Sequence, residues 1–284
     1  MSTTSTSQST AEMVAEWEAE TGPLGPHDHL SFDELAVRYN FLKTSNRRTT
    51  MVRMILDEIE KCPGPARVLD IGAGEGIGRM ILPQQVIASS CDELWGVEPD
   101  EGIKRTDGVF KNYQHAMMET ADLPEDYFDI AYAYMVMEHV ADPVAFLKAV
   151  KRCLKPGGVF LFVTPNGKHY FTILANMLKT LRIDEFTLRV IRRKSLLEDY
   201  HYPVTYRFNT PRQIDKITRE VGMEQSEYVY LESDGPRPYM RGPLRPLFHL
   251  LRLKRSIIKD PRVLLIVAGR ITKPSANESN GVGK

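Results

Sequence analysis

The sequence predicts an α/β domain built on a doubly wound, mostly parallel sheet with helices on both faces. Three observations carry that reading. From Ala66 onward, short apolar runs alternate with helical stretches, the pattern of successive strand–helix–strand units. The first of these runs leads directly into Gly72, Gly74, Gly76 and Gly78, where a chain leaving a strand can turn tightly. Asp142-Pro143 and Thr210-Pro211 each pair a capping side chain with proline at the first helical position.

Taken in order, Met1 to Thr10 is almost wholly Ser, Thr and Gln, with nothing to bury, and residues 1–28 are expected to be a flexible tail. Within it, Ala11 to Glu20 can form a short helix that the Gly22-Pro23-Leu24-Gly25-Pro26 cluster stops. Order is expected near Ser31, where Ser31-Phe32-Asp33-Glu34 has the form of a capping box. A single domain over 29–284 follows. A helix from about Thr49 to Lys61 places Met51, Met54, Ile55 and Ile59 on one face. Strands are predicted at Arg67–Ile71, Glu93–Glu98, more weakly near Val109-Phe110, then at Phe128–Tyr134 and Gly158–Thr164. The helix capped by Asp142 buries Val144, Leu147, Val150 and Leu154, with Phe146 beside them, and Pro156-Gly157-Gly158 is expected to stop it. A helix from Thr210 to Gly222 and strands at Glu227–Leu231 and Arg262–Val267 complete the pattern. Residues 167–205 and 234–260 do not fit the repeating unit and read as insertions on the substrate side.

Composition narrows the class of function. Lys+Arg and Asp+Glu both total 37, so the formal net charge is zero. The charge is nevertheless uneven. Residues 1–34 carry seven acids and no Lys or Arg, whereas residues 235–284 carry eleven bases against Asp260 and Glu278. Three cysteines without a C-x-x-C pair suit a reducing compartment and exclude a cysteine-built zinc site. No apolar run is long enough to cross a bilayer, and the N-terminus lacks a signal-peptide pattern. A cytoplasmic protein is expected.

The chemistry should lie at the glycine loop. A strand ending in Gly72-Ala73-Gly74-Glu75-Gly76 offers bare main chain to a ligand, and the N–H groups that follow suit a negative group. The dinucleotide spacing G-x-G-x-x-G would need glycine at 77, which is Ile77. Glu98, at the tip of the next strand beside Pro99, can accept both hydroxyls of a ribose.

At this point the sequence resembles the class I S-adenosylmethionine-dependent methyltransferases. The resemblance rests on Asp70-Ile71-Gly72-Ala73-Gly74-Glu75-Gly76, Glu98, Ala121-Asp122-Leu123-Pro124, Phe128-Asp129, Glu138-His139-Val140-Ala141-Asp142-Pro143 and Leu154-Lys155-Pro156-Gly157-Gly158, in that order. It is closest to the small-molecule type that includes the ubiquinone-biosynthesis O-methyltransferase, where Asn166-Gly167-Lys168 also has a counterpart. The resemblance implies a seven-stranded sheet of order 3-2-1-4-5-7-6 with strand 7 antiparallel. It implies S-adenosyl-L-methionine as cofactor, bound by Asp70, Gly72, Ala73, Gly74 and Gly76 at the methionine moiety and by Glu98 and Pro99 at the ribose. Asp70 would order the loop by accepting from its amides. Glu119 or, in competition, Asp122 would accept from the adenine amino group, and the N–H of Thr120 would donate to the ring. Tyr134 and Met135 would line the donor pocket, and Arg47 would hold the cofactor carboxylate.

For a hydroxyl acceptor a base must take the proton, and His139 is the first candidate. Glu138 would stand beside it as a metal ligand in ubiquinone-type relatives. Met135 replaces those relatives' further glutamate, so no metal is expected. The fourth strand ends Ala133-Tyr134-Met135, without the Asn/Asp-Pro-Pro-aromatic sequence that holds planar amino groups in nucleic-acid methyltransferases. No nucleic-acid partner is therefore expected, and the Phe- and Leu-rich insertions suggest a small, hydrophobic acceptor, with transfer to oxygen favoured over nitrogen. Leu247, Leu250, Leu251 and Ile258 among Arg and Lys give 237–258 the pattern of a helix that can rest on a membrane surface. Oligomeric state is not legible. Two other readings remain at this stage: a non-catalytic cofactor-binding module with a membrane or partner surface, and a nicotinamide-dependent oxidoreductase, against which Ile77 argues.

Overall fold

The computed structural model describes residues 47–169, 204–231 and 264–275, together with Glu12. The tail, the Ser31 capping box, most of both insertions and the 237–258 segment lie outside the described residues. The elements run α1 (Arg47–Lys61), β1 (Arg67–Ile71), α2 (Leu82–Ser90), β2 (Glu93–Val97), β3 (Asn112–Gln114), β4 (Phe128–Tyr134), α3 (Pro143–Cys153), β5 (Leu154–Pro165), α4 (Pro211–Val221), β6 (Glu224–Leu231) and β7 (Ile266–Thr272). They form one seven-stranded sheet of order β3-β2-β1-β4-β5-β7-β6. β7 runs antiparallel to both β5 and β6, and the other pairs are parallel.

Side chains alternate across this sheet, as the pleat requires. Leu69, Ile71, Ala131, Ala133, Phe160 and Phe162 face one layer with Phe146, Leu147 and Val150 of α3 and Ile214 and Ile217 of α4. Val68, Ile130, Tyr132, Leu161 and Val163 face the other, with Met51, Val52 and Ile55 of α1 and Val86 and Ile87 of α2. The same alternation puts Asp70 on the α1/α2 face opposite Tyr132, its register partner in β4.

The caps behave as the sequence predicts. Asp142 accepts hydrogen bonds from Val144 N and Ala145 N, both at 3.1 Å. Thr210 and Gln213 form a reciprocal capping box, and α4 ends at Gly222 in the left-handed region at φ +69°. Thr210→Ala is therefore expected to lower the stability to urea unfolding by about 1 kcal/mol. A change well under that would mean the box is redundant with the packing of α4.

Three expected boundaries are corrected. The third strand lies at Asn112–Gln114, because Val109 and Phe110 belong to the approach, where Phe110 packs against Tyr113 at 5.4 Å. α3 ends at Cys153 rather than at Pro156-Gly157-Gly158. Those three residues sit inside β5, whose first residue, Leu154, already pairs with Phe128. The last strand begins at Ile266, not Arg262, and extends past Gly269 to Thr272. Gly269 is needed there because the Phe162 ring lies on it. A Cβ would come within 2.2 Å of Cζ.

One ion ladder ties a helix to the far side of the sheet. Glu58 of α1 accepts from Arg270 of β7 at 2.7 Å and from Lys61 at 2.8 Å, and Arg270 also pairs with Glu227 of β6. Among the described residues no helix is long and apolar enough to cross a membrane.

Candidate active site

The glycine loop is built where β1 ends beside β2, next to the point at which the sheet order reverses direction, the usual ligand crevice of an open α/β sheet. Gly72 N and Ala73 N both donate to Val97 O, at 2.8 and 3.2 Å, so the loop opens from the tip of β1 against the tip of β2. Gly72, Gly74, Gly76 and Gly78 all have positive φ. Ala73 and Ile77 point inward and are buried. Ile77 thus fills a place in the core, and the loop has no third glycine at the dinucleotide position.

Glu98 faces this loop. Its Oε2 accepts from Gly74 N at 2.9 Å, and its Oε1 accepts from Asp100 N at 3.0 Å. Burial pushes its pKa above the usual carboxylate value, and those two amides oppose the shift. Pro99 is half-buried at the same strand tip.

Asp70 is placed under the loop, but it does not work as expected. Its Oδ2 accepts from Gln84 Nε2 and from Tyr132 Oη, both at 2.6 Å, rather than from loop amides. Gln84 carries the connection, because its Nε2 also donates to Ala73 O at 2.9 Å. A second arm comes from Arg105. This arginine donates to Gly74 O at 2.9 Å and to Gln84 Oε1 at 2.7 Å, and its guanidinium lies 4.8 Å from the Phe110 ring centroid. Gln84, Tyr132 and Arg105 were not anticipated. In the sequence Tyr132 is simply a member of the predicted strand Phe128–Tyr134. The register Asp70↔Tyr132 sets Tyr132 on Asp70, and nothing in the sequence marks Arg105.

Burial raises the Asp70 pKa to about 7, against the opposing hydrogen bonds of Tyr132 and Gln84. Glu138 is raised to about 7 by the same cause. Both groups keep a proton in the folded chain at pH values where the unfolded chain has released it. The folded state then binds more protons, so stability is expected to fall as pH rises from about 4 to about 7 and to level off above that. Glu93 acts in the opposite sense, but at the acid end. Hydrogen bonds from Lys111, Tyr127 and Trp95 hold its pKa down to about 2, so its contribution is full above the ordinary carboxylate value of 4.5 and is lost as pH falls from there to about 2. Urea unfolding as a function of pH checks the slope. Asp70→Asn, which keeps an acceptor for both donors, should roughly halve it.

The residues expected on the methyl-donor side come together at the end of β4. Arg47, the first residue of α1, donates to Met135 Sδ at 3.7 Å and lies 5.9 Å from the Tyr134 ring centroid. Met135 holds φ +58°, an uncommon conformation for a side chain of its size, with its N–H fixed to Val163 O at 2.8 Å. The Tyr134 hydroxyl is buried and has no hydrogen-bond partner among the described residues. Burial raises its pKa, and the nearby Arg47 charge only partly offsets this. His139 is half-buried in the turn after β4, where its N–H donates to Val136 O at 2.8 Å.

The adenine-side expectations divide. Glu119 has a buried Oε2 with no hydrogen-bond partner among the described residues, which suits an acceptor awaiting an amino group. Asp122, by contrast, is exposed, with its backbone held by Gln114 at 3.0 and 2.8 Å. Thr120 is corrected as well. Its N–H already donates to Met117 O at 3.0 Å inside a turn, so it cannot serve the base as arranged. The residues present therefore fit a nucleoside cofactor with a carboxylate end. They offer a loop of positive-φ glycines against which a ligand can lie, a buried acid at Glu98 beside it, a carboxylate oxygen of Glu119 without a partner, and Arg47 at the end of β4.

Comparison with known proteins is consistent with this geometry. A family profile described as "Methyltransferase domain" matches residues 44–225. The chain is 28% identical over 173 residues to the ubiquinone biosynthesis O-methyltransferase of Dinoroseobacter shibae, covering 58% of this chain and 63% of that protein. It is 30% identical over 184 residues to the protein of the same name from Aromatoleum aromaticum, covering 61% and 71%. The match thus spans about two thirds of these relatives' length. Among solved structures, the YcgJ protein from Bacillus subtilis superposes with a TM-score of 0.50 over 80% of this chain and 99% of that one, at 17% identity. That likeness concerns the fold.

Proposed function

This chain belongs to the methyltransferase-domain family, and from that premise we propose that it transfers a methyl group from S-adenosylmethionine to the oxygen of a small, hydrophobic acceptor. The observation that carries the reading is the Glu98 carboxylate set 2.9 Å from the amide of Gly74, at the crevice between β1 and β2. There it can take ribose hydroxyls while the loop lies along the methionine part. Arg47 is the group for the cofactor carboxylate, Glu119 for the adenine amino group, and Tyr134 and Met135 for the wall near the sulfonium. When bound, the cofactor supplies the activated methyl group. The chain supplies alignment, exclusion of water and a route for the hydroxyl proton. Transfer to oxygen is supported by the relatives named as O-methyltransferases.

The test is calorimetric titration of the purified protein with S-adenosylhomocysteine and, in parallel, NADH, and a separate incubation with S-adenosylmethionine and hydroxylated aromatic acceptors. Binding of the first ligand alone and release of S-adenosylhomocysteine on turnover would support the proposal. Preference for NADH would overturn it, and binding without turnover of any acceptor would favour a cofactor-binding module.

A further inference from the structure

The connection from β2 to β3, residues 98–111, carries no helix, although crossovers between parallel strands usually do. One side chain of this connection is turned inward. Arg105 stands between exposed Lys104 and Thr106, yet its own side chain is 5% exposed. Each nitrogen of its guanidinium has an acceptor. Nε donates to Asp107 Oδ2 at 2.6 Å, Nη1 to Gly74 O at 2.9 Å and Nη2 to Gln84 Oε1 at 2.7 Å. A guanidinium has donors only, so its bond to Gln84 fixes which end of that amide is the oxygen. The nitrogen end is thereby left to Ala73 O, at 2.9 Å, and to Asp70. These bonds converge on the two peptide planes that meet at Gly74. The 73–74 plane is held at its carbonyl by Gln84 and at its N–H by Glu98, each at 2.9 Å. The 74–75 plane is held at its carbonyl by Arg105. Gly74 itself, at φ +44°, has no Cβ to limit rotation of one plane against the other. Tying both planes is what fixes that joint.

We infer that Arg105 is a positioning residue for the cofactor. It locks the Gly74 joint and so holds the Glu98 carboxylate where ribose hydroxyls can reach it. This rests on the proposed ribose role of Glu98. Arg105 acts through Gly74 and Glu98, and Asp107 aims its guanidinium. Without that group, Gly74 O and Gln84 Oε1 lose a charged donor in a place largely closed to water. The 74–75 plane is then free to turn, and the N–H that Glu98 accepts from loses its fixed direction. Lysine restores only part of this lock. Its ammonium is a point charge and does not hold Gly74 O and Gln84 Oε1 in one plane as the guanidinium fork does.

The test compares Arg105→Met and Arg105→Lys with the wild type in the full chain, and uses Thr210→Ala as a remote control for lost stability. S-adenosylhomocysteine affinity is measured by calorimetry well below the unfolding temperature. Amide hydrogen exchange is followed over residues 72–78 and, for reference, over α3. Arg105→Met should weaken affinity about tenfold or more, and Arg105→Lys should recover part of that loss. Exchange should rise over 72–78 and stay at the wild-type rate over α3. In a Glu98→Gln background, Arg105→Met should cost no more than about a further twofold, because both side chains act on one joint. An Arg105→Met affinity within about twofold of the wild type overturns the inference. So do losses that multiply in the double variant, or an equal loss in Thr210→Ala. If Arg105→Met does not fold, Arg105→Lys, alone and with Glu98→Gln, decides by the same measurements. Failure of the wild type to bind S-adenosylhomocysteine would instead sink the functional reading, and the exchange comparison would then decide the lock alone.

Discussion

Gly76→Ala is expected to abolish measurable S-adenosylhomocysteine binding and to destabilise the fold by about 2–4 kcal/mol. Gly76 holds φ +113°, beyond the left-handed region that other residues occasionally visit. A Cβ there would also stand 2.2 Å from Met80 O and 2.5 Å from its carbonyl carbon. Both are backbone atoms, so no side-chain rotation relieves the clash and the turn between Gly76 and α2 has to be rebuilt. Gly64 provides the control, since nothing lies within 4 Å of a Cβ at that position. Gly64→Ala should leave both quantities unchanged. Urea unfolding and calorimetry check the pair. An alanine at 76 with native affinity would show that the loop does not form the wall of the site.

Glu98→Gln is expected to weaken S-adenosylhomocysteine binding by about 1–3 kcal/mol, roughly a five- to 150-fold loss. The two carboxylate oxygens already accept from Gly74 N and Asp100 N. An amide of the same shape has one accepting atom, so one of those N–H groups would face another donor. The remaining oxygen could not also take two ribose hydroxyls. Because burial raises the Glu98 pKa, affinity in the wild type should fall as pH drops toward that value, and the variant should lose this dependence. Unchanged affinity by calorimetry would remove Glu98 from the ribose position.

The sequence revealed features whose cause is local. The glycine loop, the Asp142 cap and the Thr210 box each depend on residues a few positions apart, and each stands where it was expected. What escaped the sequence depends on partners brought together by the sheet. Tyr132 is an apolar-looking member of a strand until β1 and β4 pair in register and set its hydroxyl on Asp70. Arg105 is 31 residues from the glycine whose carbonyl it holds. The late start of β7 follows from its antiparallel register with β5, Pro165↔Ile266 through Val159↔Thr272, and the Phe162 ring that requires Gly269 is more than a hundred residues away in sequence. The donor for the adenine ring failed for a local reason that the spacing conceals. Thr120 follows a turn that consumes its N–H.

The Glu58–Arg270–Glu227 ladder has a consequence for a place it never touches. Glu58 and Arg47 are carried by one uninterrupted helix, about 16 Å apart at the helical rise. A rigid rod pinned near one end transmits any rotation there to its other end. The orientation of the Arg47 guanidinium is therefore set in part by charges at the opposite margin of the molecule. Loosening that remote anchor would be felt as a lever stroke beside Met135, so a half-buried arginine on β7 bears on a side chain it never touches.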